Sequence, residues 1–155
     1  MTDNEYMDLA LCQARLAADA GEVPVGAVAV LDGKVVAAAY NSCETDGQAC
    51  AHAEMKVIRE ASEKLGRWRL QDLTVYVTME PCPMCAGAMM LSRVGRIVYG
   101  VKNAQAGACG SVLDLRAYPL PASYEATGGV REKECLALLQ EFFKKRRNTD
   151  NSDKK

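Results

Sequence analysis

The residues from Leu73 to Gly100 read LTVYVTMEPCPMCAGAMMLSRVGRIVYG. The first six are mostly apolar or β-branched and predict a buried strand, and the last five predict a second one. Between them, Pro83 falls in the first turn of a helix, where its missing N–H costs little. Strand, helix and strand in this order predict two parallel strands joined by a right-handed crossover. The stretch therefore indicates an α/β fold.

Two segments carry residues that bind transition metals. His52, the single histidine, lies in His52-Ala53-Glu54. Cys82 and Cys85 form a CxxC motif in which Pro81 and Pro83 flank the first cysteine. One imidazole and two thiolates leave the fourth position of a tetrahedral zinc ion open for water. A carboxylate beside that water is what metal-assisted hydrolysis needs. We therefore expect Zn²⁺ on His52, Cys82 and Cys85, with Glu54 as the proton shuttle.

The predicted ligands belong to the starts of two helices. Cys82 and Cys85 are three residues apart, so they share one helical face at the end of a buried strand. The positive end of a helix stabilises thiolates, and metal binding completes their deprotonation. A fourth protein ligand would make the site structural, and Cys50 is an alternative for that position because it lies two residues before His52.

The chain N-terminal to this site predicts a helix and a hairpin. Thr2 to Glu5 fits a capping box, and Gly21 fits a helix stop. The runs 25–31 and 35–40 are short and apolar, and Asp32-Gly33 between them is typical of a tight hairpin turn. Because both runs are apolar almost throughout, we expect both faces of this part of the sheet to be covered.

The C-terminal region predicts one more helix, over about 131–147, that buries Leu136, Leu139 and Phe143. We expect residues 1–147 to form a single domain and residues 148–155 to form a polar, disordered tail. Cys12 and Cys135 lie on apolar helical faces and are predicted to be core cysteines. Cys43 and Cys109 have no assignable role.

Composition and charge narrow the class of protein. The chain has 155 residues, 49% of them apolar, and a net charge of −1. No segment is long and apolar enough to span a bilayer, and an acidic N-terminus without an apolar run behind it predicts no signal peptide. The odd number of cysteines, seven, argues against a disulfide scaffold and favours the cytoplasm. The basic run at 144–147 complements a helix dipole or, alternatively, holds a phosphate backbone.

The sequence resembles the bacterial tRNA-specific adenosine deaminases. The likeness includes the H-x-E…P-C-x-x-C signature of zinc nucleobase deaminases. It extends from about residue 5 to residue 147. The segments that carry it are Glu22-Val23-Pro24-Val25-Gly26-Ala27, Asn41, Ala51-His52-Ala53-Glu54, 79–88, Ser92-Arg93-Val94-Gly95-Arg96 and the basic helix at Phe142-Phe143.

This resemblance implies a three-layer α/β/α, cytidine-deaminase-like fold around a five-stranded mixed sheet. It implies a homodimer that packs partly through the helix after Cys82. It also implies hydrolytic conversion of adenosine to inosine at the first anticodon position of tRNA, with release of ammonia. Within that family His52, Cys82 and Cys85 match the zinc ligands, Glu54 matches the proton shuttle, and Asn41 matches the asparagine that contacts the flipped base.

One position departs from the family pattern. Where the family often has an aspartate, this chain has Asn103. An amide can still hydrogen-bond a sugar hydroxyl but brings no charge, so we hypothesise a relaxed preference for RNA over DNA at the 2′-OH. A threonine is more usual at the position of Cys50.

Two other functions stay open from the residues alone. The first is deamination of a free nucleobase or nucleoside, such as guanine or cytosine, which uses the same zinc chemistry. The second is a non-catalytic zinc-bearing subunit. The basic end of the last helix favours tRNA over a free base, and the presence of Glu54 argues against a dead domain.

Overall fold

The computed structural model describes residues 1–153. Its elements in chain order are α1 Asp3–Asp19, β1 Gly26–Leu31, β2 Lys34–Tyr40, α2 Cys43–Asp46, α3 Ala53–Leu65, β3 Thr74–Met79, α4 Pro83–Leu91, β4 Arg96–Val101, a 3₁₀ turn Leu115–Ala117, β5 Glu125–Thr127 and α5 Glu132–Asp153. The predicted capping box starts α1: the Thr2 hydroxyl accepts from the backbone of Glu5, and the Glu5 carboxylate accepts from the backbone of Thr2.

The five strands form one mixed sheet in the order β2-β1-β3-β4-β5. The β1–β2 and β1–β3 pairs are antiparallel, and the β3–β4 and β4–β5 pairs are parallel. The predicted hairpin is present, and Asp32 and Gly33 have φ of 50° and 76°, which is the left-handed pair that a type I′ turn requires. The parallel β3–β4 pair joined by α4 confirms the predicted crossover.

Helices cover both faces of the sheet. On β3, Val75 and Val77 pack into the core against α3 and α4, whereas Tyr76 between them packs into the core against α1 and α5. This alternation follows from the two-residue period of a strand. The three-layer α/β/α arrangement is confirmed. The expectation that both faces of the hairpin strands are covered is wrong for part of β2, which lies at the edge of the sheet and exposes Val35.

The last helix differs from its prediction. It continues to Asp153, so the expected end at Arg147 and the disordered tail are wrong for residues 148–153; residues 154–155 lie outside the described part of the chain. Neither glycine nor proline interrupts this stretch, and the hydroxyls of Thr149 and Ser152 donate to carbonyls four residues earlier.

The buried face of α5 is also shifted from the predicted one. Cys135 and Leu139 are buried, as expected, but Leu136 and Phe143 are each 40% exposed. Cys12 is exposed on α1, so its predicted place in the core is wrong. Within residues 1–153, no helix combines the length and the apolar character that crossing a membrane requires.

Candidate metal centre and active site

The predicted metal ligands lie at the start of two neighbouring helices. His52 is the N-cap residue of α3, and Cys82 is the N-cap residue of α4, directly after β3 and Pro81. Cys85 lies in the first turn of α4 and is fully buried. The unpaired N–H groups of both helix ends therefore point their positive potential at one place, which favours thiolates there.

The spacing of the three ligand atoms fits a tetrahedral zinc ion. His52 Nδ1 lies 3.6 Å from Cys82 Sγ and 3.5 Å from Cys85 Sγ. Zinc–nitrogen and zinc–sulfur bonds at tetrahedral angles place these atoms about 3.5 Å apart. The alternative ligand Cys50 is exposed and, among the described residues, does not belong to this cluster. The donor set is therefore one imidazole and two sulfurs, with room for a fourth ligand that is not a protein side chain.

The two thiols shift each other's pKa in opposite directions. The hydrogen bond from Cys85 lowers the pKa of Cys82 to about 4, and the nearby His52 adds to this effect. The same hydrogen bond, together with burial, raises the pKa of Cys85. Hydrogen bonding to Cys82 also raises the pKa of His52. Cys82 is thus favoured as a thiolate at neutral pH. A bound divalent cation would also favour deprotonation of Cys85.

Glu54 lies in the first turn of α3 and is only 4% exposed. Burial raises the pKa of its carboxyl group above the usual value. A carboxylate in this state takes up a proton near neutral pH more readily than an exposed one does, and can pass it on. The residue has the properties of a general acid and base beside the metal ligands.

A cavity of about 270 Å³ opens onto the centre. This volume is close to the lower end of the range for small-molecule sites. The residues that line it come from the α1–β1 connection, the segment after β2, the two helix starts, the end of β3, the segment after β4 and the C-terminal half of α5. They are Gly21, Glu22, Val23, Val25, Asn41, Cys43, Glu44, His52, Ala53, Glu54, Met79, Glu80, Cys82, Asn103 and Arg146.

Both predicted substrate-contact residues line this cavity, and both are held by local hydrogen bonds. Asn41 donates from Nδ2 to the carbonyl of Val23 at 3.2 Å, and the Cys43 thiol donates to its Oδ1 at 3.1 Å. Cys43, which has no role predicted from sequence, therefore helps to fix the Asn41 amide. Asn103 Oδ1 accepts from the backbone N–H groups of residues 105 and 106. That leaves its Nδ2 as the group for a ligand.

Sequence reasoning missed two acids of the cavity wall, Glu22 and Glu80. They are 1% and 2% exposed. The Glu22 carboxylate accepts hydrogen bonds from backbone N–H groups of α2, and the Glu80 carboxylate accepts them from backbone N–H groups of the loop after β4. In the sequence they look like ordinary loop acids. The one available signal is that Glu80 stands between a buried strand and Pro81, where a charged side chain needs partners.

Comparison with known proteins places this site in a family. The model of the MafB19-like deaminases matches residues 1–147. A tRNA-specific adenosine deaminase of Bacillus subtilis is 44% identical, covering 100% of this chain and 98% of the relative. A tRNA-specific adenosine deaminase of Agrobacterium fabrum is 41% identical, covering 94% of this chain and 96% of the relative.

Solved structures of deaminases are also similar to this chain. A structure from a study of A-to-I editing by tRNA:A34 deaminases superposes with a TM-score of 0.81 at 40% identity, covering 87% of this chain and 99% of that one. A guanine deaminase from Bacillus subtilis has a TM-score of 0.63 at 28% identity, covering 78% of this chain and 88% of that one. The chain therefore belongs to the MafB19-like deaminases and, among them, to the family of the bacterial tRNA-specific adenosine deaminases.

Proposed function

We propose that the protein catalyses zinc-dependent hydrolysis of adenosine to inosine at the wobble position of tRNA. The observation that carries the proposal is the His52, Cys82 and Cys85 cluster beside the buried Glu54, in a chain that matches a tRNA-specific adenosine deaminase along its whole length. The reaction adds water to C6 of the adenine, breaks the C6–N bond and releases ammonia.

In this proposal, Glu54 moves the protons. His52, Cys82 and Cys85 would hold the zinc ion, which would supply the acidification of water that hydrolysis at neutral pH requires. The Glu54 carboxylate takes one proton from the attacking water and gives it to the ring nitrogen next to C6. It then takes the remaining proton from the new hydroxyl on C6 and gives it to the amine, which leaves as ammonia while the C6=O bond forms. Its raised pKa suits this task because the group must accept and release a proton in one cycle.

The cavity walls suit a single extruded base. A cavity of about 270 Å³ can hold one base but not a stack of bases. The target nucleotide therefore has to leave its stack to enter. In this proposal, the Asn41 amide, which Val23 and Cys43 hold, hydrogen-bonds the base, and Asn103 Nδ2 donates to the ribose. These two residues are the substrate contacts that we propose.

The far end of α5 favours tRNA over a free base as the substrate. Arg146 lines the cavity, and its guanidinium lies 5.9 Å from the Phe142 ring, which holds it at the rim. It belongs to the basic run at 144–147. A free purine has no phosphate for such a group, whereas an anticodon loop carries one on either side of the target nucleotide.

We also propose a homodimer and a location in the cytoplasm. Helix α4 carries no charged side chain, yet Met84 and Leu91 are 37% and 66% exposed. An apolar helix face of this kind supports packing against a second copy. All seven cysteines are free thiols, which supports a reducing compartment.

The proposal is tested by incubating the zinc-loaded protein with an unmodified tRNA pool and sequencing the cDNA. Inosine reads as guanosine, so an A-to-G change confined to the first anticodon position is expected. Glu54→Ala should keep zinc and fold but lose about 10²- to 10⁴-fold in rate. The exposed Glu63→Ala is the matched control and should retain activity. Ammonia release from guanine, cytosine or adenosine without any tRNA editing would favour the free-base alternative instead.

A further inference from the structure

Glu80 is the most fully hydrogen-bonded acid in the cavity wall. It follows β3 directly and is 2% exposed. Its Oε1 accepts from the backbone N–H of Asn103 at 3.3 Å and from the Ser111 hydroxyl. Its Oε2 accepts from the backbone N–H groups of Cys109 at 3.0 Å and Ser111 at 3.1 Å. One carboxylate therefore gathers four donors from a single loop, residues 102–111, which we term the pocket loop.

This arrangement excludes a catalytic role for Glu80. Each oxygen already accepts two hydrogen bonds, so the carboxylate has no acceptor position left for a substrate proton. None of the ion pairs formed within residues 1–153 involves it, so the pocket loop alone stabilises the buried charge. Hydrogen bonds between a carboxylate and N–H groups are stronger than those between neutral groups, which makes this a firm anchor.

We propose that Glu80 is a positioning residue that fixes the pocket loop and thereby holds Asn103 at the cavity. Two further contacts tie the loop to the same strand end. The Ala108 N–H donates to the Pro81 carbonyl at 2.9 Å, and a side chain at Gly107 would overlap the Glu80 carboxylate. The loop is therefore packed directly onto Glu80, and this one side chain accepts four of the hydrogen bonds that anchor the wall carrying Asn103.

The geometry explains why glutamate is needed here. A glutamine has only one acceptor oxygen, and its other terminal group is an N–H₂ donor. In either orientation of the amide, this N–H₂ group would replace a carboxylate oxygen that accepts two hydrogen bonds and would face two donors of the pocket loop. Glu22 on the opposite wall is different. Its Oε1 accepts from the backbone N–H groups of Glu44 at 2.8 Å and Thr45 at 3.1 Å, and its Oε2 makes one longer contact, at 3.2 Å, to the same Glu44 N–H. A glutamine can keep its oxygen at the Oε1 position and so retain the two shorter hydrogen bonds. Glu22→Gln is thus a matched control for Glu80→Gln, since both remove one buried charge.

The kinetic part of this inference rests on the proposed function. If the pocket loop is released, Asn103 no longer meets the substrate in a fixed position, and the KM for an anticodon stem-loop rises. The metal ligands and Glu54 lie on α3 and at the start of α4, outside the pocket loop. Zinc content and kcat should therefore change little, which separates positioning from general damage.

The test compares wild type, Glu80→Gln, Glu22→Gln and Ser111→Ala. Amide hydrogen exchange without substrate should accelerate about tenfold across 102–111 in Glu80→Gln, and less in Ser111→Ala, which removes one hydroxyl donor. KM should rise about tenfold in Glu80→Gln and about twofold in Ser111→Ala, while kcat and bound zinc stay near the wild-type values. Glu22→Gln should leave the exchange of this loop unchanged.

Several results would overturn the inference. These are unchanged exchange of the pocket loop in Glu80→Gln, an unchanged KM, or a loss of zinc that accounts for the whole effect. If Glu80→Gln does not fold, Ser111→Ala decides, and wild-type exchange and KM in that variant refute the role. Exchange is measured without substrate, so a wild-type protein that edits no tRNA would refute the proposed function while the exchange data still decide what Glu80 does.

Discussion

The Nδ1 atom of His52 lies 3.6 Å from the Sγ atom of Cys82, although 30 positions separate the two residues in the chain. The first belongs to the start of α3 and the second to the start of α4, so the proposed ligand set exists only when these helices pack side by side. Because an unfolded chain offers no such preformed set, we expect zinc binding and folding to be coupled.

Cys82→Ser is therefore expected to lose zinc and to unfold at a lower temperature than the zinc-loaded wild type. Serine is a poor ligand because its hydroxyl does not deprotonate as readily as a thiol. Elemental analysis of the purified variants and their thermal melts measure both effects. The exposed Cys50→Ser is the control, with wild-type zinc and stability expected. Full zinc occupancy in Cys82→Ser would remove this residue from the ligand set.

The sheet and the ligand set were predictable because both depend on short-range patterns. The buried strand at β3 and the CxxC after it fix the strand–helix–strand unit, and Asp32-Gly33 fixes the hairpin. Ligands three residues apart on one helix end need no long-range information. His52 is the exception, and it was assignable because the chain has a single histidine.

Two of the errors concern which side of a helix meets the core. On α5 the apolar residues cover a wide face, and periodicity alone does not tell which side of the helix faces the sheet. Leu139 is buried against the sheet, whereas Leu136 and Phe143 are partly exposed. Cys12 on α1 is a similar case. The roles of Glu22 and Glu80 were not predictable because their partners are backbone N–H groups, which leave no trace in side-chain patterns.

The first turn of α1 provides a pH-dependent link to the sheet. Asp3 accepts two hydrogen bonds from the Arg96 guanidinium, at 2.9 and 2.8 Å, and one from the Tyr76 hydroxyl at 2.7 Å. The bond to Arg96 is the main reason that the pKa of Asp3 lies below its usual value of 3.8. The folded state thus binds fewer protons than the unfolded state, so this link is complete above about pH 4 and is lost as the pH falls through the folded pKa.

Asp3→Asn should consequently lower the free energy of unfolding at pH 7 by on the order of 1 kcal/mol or less, since both side chains are about one third exposed. The difference from wild type should shrink as the pH falls below about 4. Urea unfolding at a series of pH values measures it. The exposed Asp150→Asn should track the wild type throughout. A loss for Asp3→Asn that grows toward acid pH would contradict the assignment.

Asn103→Asp should raise the preference for RNA over DNA. One carboxylate oxygen can keep the contacts to the N–H groups of residues 105 and 106, and the other gives the 2′-OH a charged acceptor that an amide N–H₂ lacks. The expected gain is about fivefold or more in the ratio of kcat/KM on an anticodon stem-loop and on its DNA copy. The exposed Gln105→Glu makes the same charge change and should not alter the ratio. Equal ratios for wild type and Asn103→Asp refute the hypothesis of relaxed discrimination.

Leu91→Glu should convert the proposed homodimer into a monomer. Leu91 is 66% exposed at the end of α4, and a glutamate there would bury its charge in a second copy or force the copies apart. Analytical ultracentrifugation at micromolar concentration measures the outcome. Leu16→Glu is the control because Leu16, 48% exposed, lies on α1 and not on α4. A monomeric wild type, or equal sedimentation of both variants, would contradict a dimer through α4.

Arg146→Ala should weaken the binding of an anticodon stem-loop and reduce the slope of log K against log salt by about one. The reason is that Arg146 lines the cavity and is held by the Phe142 ring, so it can neutralise one phosphate beside the extruded base. The exposed Lys133→Ala, at the opposite end of α5, should keep the wild-type slope. Salt titrations of KM for the three proteins measure the effect. An enzyme that acts on free bases would give the same KM for all of them at every salt concentration, because its substrate carries no phosphate for Arg146 to bind.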